Sequence, residues 1–143
     1  MNRFFLILSI LFLKSFGVNA QRSVLSAEVG AIFPVHAHIS YEHRFYNGPR
    51  LSWYARLGGG ASLILIADGG VGGVVSTTML TRPNEENHFQ LEMGAMGFVS
   101  DYGGMVFPHL TAGYRRQKPG GGFMFKVYGG LILQAGVGIG YSF

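Results

Sequence analysis

The chain has 143 residues, enough for one domain, and no cysteine, which excludes disulfide bonds, thiolate metal sites and a lipid anchor on an N-terminal cysteine. Apolar residues make up 48% of the chain and charged residues 13%, roughly half the charged share of a soluble domain. The formal net charge is +4 without a long basic run, so the composition predicts no nucleic-acid binding.

The first twenty residues have the pattern of a secretory signal peptide. Arg3 precedes an apolar stretch, residues 4–13, and Val18-Asn19-Ala20 offers small residues for cleavage. This stretch is too short to span a bilayer, which takes roughly 20 residues; an uncleaved interfacial segment is the alternative. We expect cleavage near Ala20-Gln21, with residues 1–20 as the signal peptide and residues 21–143 as one domain. Loss of Arg3 and Lys14 then leaves nine basic and seven acidic residues, a net charge of +2.

After the leader, apolar residues recur at every second position, which is the period of a β-strand. Residues 35–46 show this most clearly, because Ala37, Ile39 and Tyr41 alternate with polar residues. Strands are expected over residues 23–33, 35–46, 51–62, 71–80, 88–99, 107–117, 122–133 and 134–143. The turn signals between them are Pro34, Asn47-Gly48, Gly69-Gly70, Pro83-Asn84, Tyr102-Gly103-Gly104, Pro119-Gly120 and a very short connection between Leu131 and Gln134.

The polar faces of these strands carry charges in mid-strand, namely Glu28, Glu42, Arg44, Arg56, Glu92, Arg115 and Lys126. A soluble barrel hides its apolar face inside, whereas a membrane barrel turns that face towards lipid. We therefore predict an all-β fold, an eight-stranded antiparallel up-and-down transmembrane β-barrel.

Since eight strands enclose only enough room for side chains, we expect a plugged lumen in which these charges pair. Glycines on the same face would make room for them: Gly30, Gly94, Gly113, Gly136, Gly138 and Gly140. The alternative is an exposed sheet face.

The last strand ends on an aromatic residue. Val137, Ile139, Tyr141 and Phe143 alternate with small residues up to the last position. This resembles the terminal strand signature of outer-membrane barrels, which implies recognition by the barrel assembly machinery. We expect these four residues to be the assembly signal and the lipid bilayer of the outer membrane to be a partner.

A family resemblance rests on two segments near the C-terminus. Residues 114–126 (YRRQKPGGGFMFK) and the final residues 138–143 (GIGYSF) are similar to the closing hairpins of small outer-membrane β-barrel proteins found in Bacteroidota. The resemblance implies the barrel fold and the outer membrane as its location. That family carries no agreed catalytic residues, so none is transferred to this chain.

Other candidate chemistry is weaker. His36 and His38 lie two apart on one strand face, but no third metal ligand is assured, so we predict no metal and no cofactor. His38 and Ser40 with Glu42 resemble the His-x-Ser portion of outer-membrane lipid A deacylases, yet they share the face assigned to the lumen. The glycine runs at residues 58–60 and 69–73 lack the Lys-Ser or Lys-Thr of a phosphate loop. Tyr41, Phe45 and Trp53 are candidates for an aromatic girdle at the membrane interface.

Three functions remain open at this point. The first is a small integral outer-membrane barrel with a structural or interaction role, without catalytic residues. The second is an outer-membrane lipid A-modifying hydrolase or acyltransferase of the eight-stranded barrel type. The third is a secreted, lipocalin-like carrier of an apolar ligand, which requires the apolar faces of the strands to lie inside.

Overall fold

The computed structural model describes residues 23–32, 35–64, 67–101, 103–131 and 134–143, and it shows a closed antiparallel barrel. Each strand pairs with the next along the chain, and β8 pairs with β1. The strands are β1 (Ser23–Ile32), β2 (Val35–Asn47), β3 (Leu51–Ile64), β4 (Ala67–Thr81), β5 (Asn87–Ser100), β6 (Gly103–Gln117), β7 (Gly122–Gly130) and β8 (Gln134–Ser142). The predicted eight-stranded up-and-down barrel is confirmed. The predicted leader, the cleavage position and the turn at Pro34 lie outside the described residues.

The predicted turn at Gly69-Gly70 was wrong, and the turn predicted over residues 102–104 extends too far, because these glycines belong to strands. Gly69 and Gly70 lie within β4, where Gly70 is the partner of Ser62, and Gly104 lies in β6 opposite Val99. Ladder hydrogen bonds along the neighbouring strands outweigh the low strand propensity of glycine at these positions. Strand β7 ends at Gly130, short of the predicted residue 133.

The two ends of the barrel are distinguished by the chain termini. One end, called the terminal end here, carries Ser23, Phe143 and the turns at residues 48–50, 82–86 and 118–121. The backbone N–H groups of Ser23 and Phe143 each donate to the carbonyl of the other, at 3.0 and 2.9 Å, which closes the barrel at this end. At the 48–50 turn the Gly48 N–H donates to the Leu51 carbonyl at 2.9 Å, so the turn centres on Pro49 and Arg50, and neither Asn47 nor Gly48 has the positive φ that the Asn-Gly signal suggests.

The strands have opposite polarity on their two faces. Along β2 the side chains of His38, Ser40 and Glu42 are buried, whereas those of Ile39 and Tyr41 between them are exposed. Apolar residues cover the outside in the same way on the other strands, among them Leu57, Val75 and Phe123, which are 64%, 62% and 64% exposed. Within the described residues no helix is long and apolar enough to cross a membrane.

Inside the barrel, two small apolar clusters lie on either side of the polar centre. Val24, Tyr54, Leu80 and Met124 form the first cluster, at the terminal end. Val74, Met96 and Phe98, with Phe107 packed against them, form the second cluster, towards the opposite end. The charged side chains between the clusters are buried.

Candidate functional site

Six buried charged side chains form one continuous chain of ion pairs across the lumen. They come from six different strands, and acids alternate with bases: Glu92, Arg56, Glu28, Lys126, Glu42 and Arg115. Arg56 bonds Glu92 at one side and Glu28, at 2.7 Å, at the other. Lys126 lies 2.8 Å from Glu28 and 3.4 Å from Glu42, and Glu42 accepts from Arg115 at 2.5 Å.

The strand registers bring these side chains together. Arg115 and Lys126 are direct cross-strand neighbours, and Gly138 stands between Lys126 and Glu28 in the adjacent pairs. A Cβ at Gly138 would lie 2.8 Å from Glu28 Cγ and 3.0 Å from Lys126 Cε. The absence of a side chain at this position therefore lets a lysine on β7 reach a glutamate on β1 across β8.

Polar neighbours complete the coordination of the acids. Glu92 accepts hydrogen bonds from Ser76 at 2.5 Å and from the Gln90 amide at 3.2 Å, and His109 Nε2 lies 3.0 Å from its Oε1. Glu28 accepts a bond from Ser26 at 3.2 Å. These bonds supply part of the solvation that the carboxylates lose on burial.

The bases also have further contacts. Arg56 Nη2 donates to the Ser40 hydroxyl at 2.9 Å, and the Arg115 guanidinium lies 5.3 Å from the centre of the Tyr54 ring, a cation–π distance. All six charged residues are at most 4% exposed. Three acids and three bases cancel in charge, which a low-dielectric interior requires.

Arg44 lies apart from this chain of ion pairs. It is half-buried near the terminal end, in a small cleft with Ser52, Tyr54 and His88, and it has no ion pair with any described residue. It follows Glu42 on the same face of β2, nearer the terminal end, and no carboxylate lines the cleft around it. The structure thus brings together six of the seven charges singled out from the sequence.

Two histidines of β2, His36 and His38, face the lumen beyond the ion pairs, whereas His43 on the same strand is exposed. The rings of His36 and His38 stack at 4.8 Å, and His38 also stacks on Phe98 at 6.1 Å. Neither ring nitrogen of His38 has a hydrogen-bond partner. In the described part of the chain no group of three or more histidine or carboxylate side chains is placed to hold a metal ion.

The sequence did not single out Ser76, Gln90 and His109 as neighbours of Glu92. Each lies on an inward face by strand parity, so alternation alone marks them as lumen residues. Their contact with one carboxylate depends on strand register, which no local sequence signal provides.

The hydrolase candidates point away from the outer wall. His38 and Ser40 are both buried in the lumen, and the Ser40 hydroxyl accepts the bond from Arg56. A lipid-modifying site needs its nucleophile on the wall, where an acyl ester can reach it. The arrangement of these two residues offers no such access.

Aromatic side chains cluster on the outer wall near the terminal end. Tyr41 and Phe45 are exposed there and Trp53 is partly exposed, in agreement with their expected outward direction. Further exposed aromatic residues at this end are Phe89, Tyr114, Phe123 and Tyr141. Three residues of the expected assembly signal, Val137, Ile139 and Tyr141, are exposed on β8, and Phe143, directly after β8, is exposed as well.

No protein-family model matches the chain, and no curated protein matches it. The chain is similar to the crystal structure of Ail, the attachment invasion locus protein of Yersinia pestis, with 15% sequence identity and a TM-score of 0.43. The match covers 85% of this chain and 95% of that chain.

Proposed function

We propose that the protein is a small integral barrel of the bacterial outer membrane, with a structural or interaction role in place of catalysis. The observation that carries the proposal is the polarity of the barrel: apolar side chains cover the outside and a neutral chain of ion pairs fills the inside. Only closed barrels and helices can span a bilayer, because their backbone groups are all hydrogen-bonded internally.

Burial free energies favour a lipid environment for this arrangement. Each apolar Å² removed from water stabilises a protein by about 25 cal/mol. The exposed apolar wall would gain this stabilisation in lipid but not in water. The exposed apolar side chains cover all eight strands and include Leu25, Ile39, Val71 and Val137. A patch of this extent is far larger than the few hundred Å² found on soluble monomers.

The two other functions fit the geometry less well. An apolar-ligand carrier of the lipocalin kind needs an apolar interior, but the centre of this barrel holds Glu28, Arg56 and Lys126. A lipid hydrolase built on His38 and Ser40 needs them at the lipid face, and they are buried inside. The ion pairs themselves support a structural role for the lumen charges, including Glu42, Glu92 and Arg115.

A substitution at the middle of the wall tests the membrane assignment. Ile39 is 65% exposed, so Ile39→Lys would be nearly neutral in a soluble barrel, where surface changes stay within about 0.5 kcal/mol. In a bilayer the same lysine should cost about 2–4 kcal/mol. The measurement is urea unfolding of the barrel refolded in phospholipid vesicles, with Asn84→Lys in the exposed 82–86 turn as the control.

Gel mobility and fractionation complete the test. Folded protein purified in detergent should migrate differently before and after boiling, and cell fractionation should place it in the outer membrane. Recovery in the soluble periplasm without detergent, or a neutral Ile39→Lys variant, would overturn the proposal.

A further inference from the structure

A β-bulge at the end of β2 opens a groove on the outer wall. Arg44 is the partner of Tyr54 and Tyr46 is the partner of Trp53, which leaves Phe45 as an extra residue in the strand. As a result two successive aromatic side chains, Phe45 and Tyr46, are 61% and 53% exposed. A regular strand would have turned one of them inward.

The groove extends from this bulge across the wall to β5. It is a shallow, open depression of about 870 Å³, and Trp53, Thr77 and Met93 line it together with the two aromatic residues of the bulge. Thr77 and Met93 are cross-strand partners, so the floor of the groove is continuous sheet. Its lining is mostly apolar, which suits an acyl chain.

The mouth of the groove, at the 48–50 turn, carries a single cation. Arg50 is exposed and lines the groove, and it forms no ion pair with any described residue. The nearby Arg82 donates its backbone N–H to the Arg50 carbonyl at 2.9 Å, but its own guanidinium is paired with Glu85 at 3.3 Å. The groove therefore combines an apolar floor with one available positive charge at its end.

We propose that this groove binds an anionic phospholipid, with acyl chains along Trp53 and Met93 and the phosphate at Arg50. The inference rests on the proposed membrane location. Both phosphatidylglycerol and phosphatidylcholine carry a phosphate that an unpaired arginine can bind, but the choline ammonium offsets part of this attraction, so a headgroup of net negative charge is favoured. In a membrane barrel, aromatic side chains near strand ends, such as those of the bulge, belong at the height where a headgroup meets the acyl region.

Trp53 provides a direct probe, because it is the only tryptophan in the chain. The full barrel is refolded in mixed vesicles of phosphatidylglycerol and phosphatidylcholine, in which one lipid at a time carries brominated acyl chains that quench tryptophan. Brominated phosphatidylglycerol should associate with the site about fivefold more strongly than brominated phosphatidylcholine, the effect expected of one basic side chain at an anionic surface.

Two variants separate the site from general surface charge. Arg50→Gln should remove the preference, while Arg116→Gln, at the same end but paired with Glu86, should keep it. Heat-dependent gel mobility confirms that each variant is folded.

The quenching results distinguish failure of the lipid site from failure of the membrane assignment. Equal quenching by both lipids in the wild type, or equal loss of preference in both variants, would overturn the lipid site and leave the membrane barrel intact. Absence of quenching by either lipid in folded protein would overturn the membrane assignment and the site with it.

Discussion

Removal of the Arg56 charge should destabilise the barrel strongly. Arg56 links Glu92 to Glu28, so Arg56→Met leaves the lumen with three acids and two bases. Glu28 keeps Lys126 and Glu92 keeps His109, yet one buried negative charge is left uncompensated. Breaking a buried ion pair in this way costs about 3–5 kcal/mol, since the remaining charge has lost its solvation without a partner.

A second substitution should restore much of this loss. Arg56→Met combined with Glu92→Gln returns the lumen to two acids and two bases, and the double variant should be more stable than Arg56→Met alone. Because contacting residues couple, the two effects should not add. The exposed pair of Arg116 and Glu86 provides the control, and Arg116→Met should cost less than about 1 kcal/mol.

The assay is reversible urea unfolding in phospholipid vesicles, followed by the fluorescence of Trp53 and checked by heat-dependent gel mobility. An Arg56→Met variant no less stable than Arg116→Met would refute the reasoning. So would a double variant whose loss equals the sum of the two single losses, because the charges would then act independently.

Three further predictions concern the packing, the assembly and the permeability of the barrel. Gly138→Ala places a methyl group between Glu28 and Lys126 and should lower the free energy of unfolding in urea by about 1–3 kcal/mol. The control is Gly59→Ala, where the nearest atom to the new methyl group would lie 3.6 Å away and little stability should be lost. Equal losses of stability in the two variants would argue against steric crowding at Gly138. Phe143→Ala should refold normally in detergent, because the closing bonds to Ser23 are made by the backbone. In cells the same variant should lower the amount of barrel in the outer membrane severalfold. Unchanged amounts on a quantitative blot would remove the assembly role. Purified barrel in planar bilayers should show no steady ion conductance, since the six charged side chains across the lumen are buried and paired with one another. Regular single-channel steps would contradict this.

The number of strands and the direction of their faces could be predicted from local pattern. Period-two alternation depends only on neighbouring residues, and it correctly assigned Ile39 and Phe123 to the outer wall and Glu42 and Arg115 to the interior. Strand ends were less accurate, as at Gly69 and Gly70, because a ladder continues wherever the partner strand does. The signal peptide over residues 1–20 remains a prediction.

Pairing inside the lumen was decided by the tertiary structure. Glu42 and Arg56 are cross-strand partners, yet Arg56 bonds Glu28 and Glu92, and Glu42 bonds Lys126 and Arg115. Closure of the sheet brings strands distant in sequence face to face across a narrow interior. Each long charged side chain then has several oppositely charged groups within reach, so its ion-pair partner depends on the geometry of the whole barrel.

The sequence by itself therefore determined that this chain alternates as eight strands with apolar and charged faces, since those properties are local. Only the closed barrel decided which charges meet, that Arg44 stays outside the chain of ion pairs, and that apolar clusters lie on either side of the ion pairs. These features depend on strand register and curvature, which arise from all the strand pairs together.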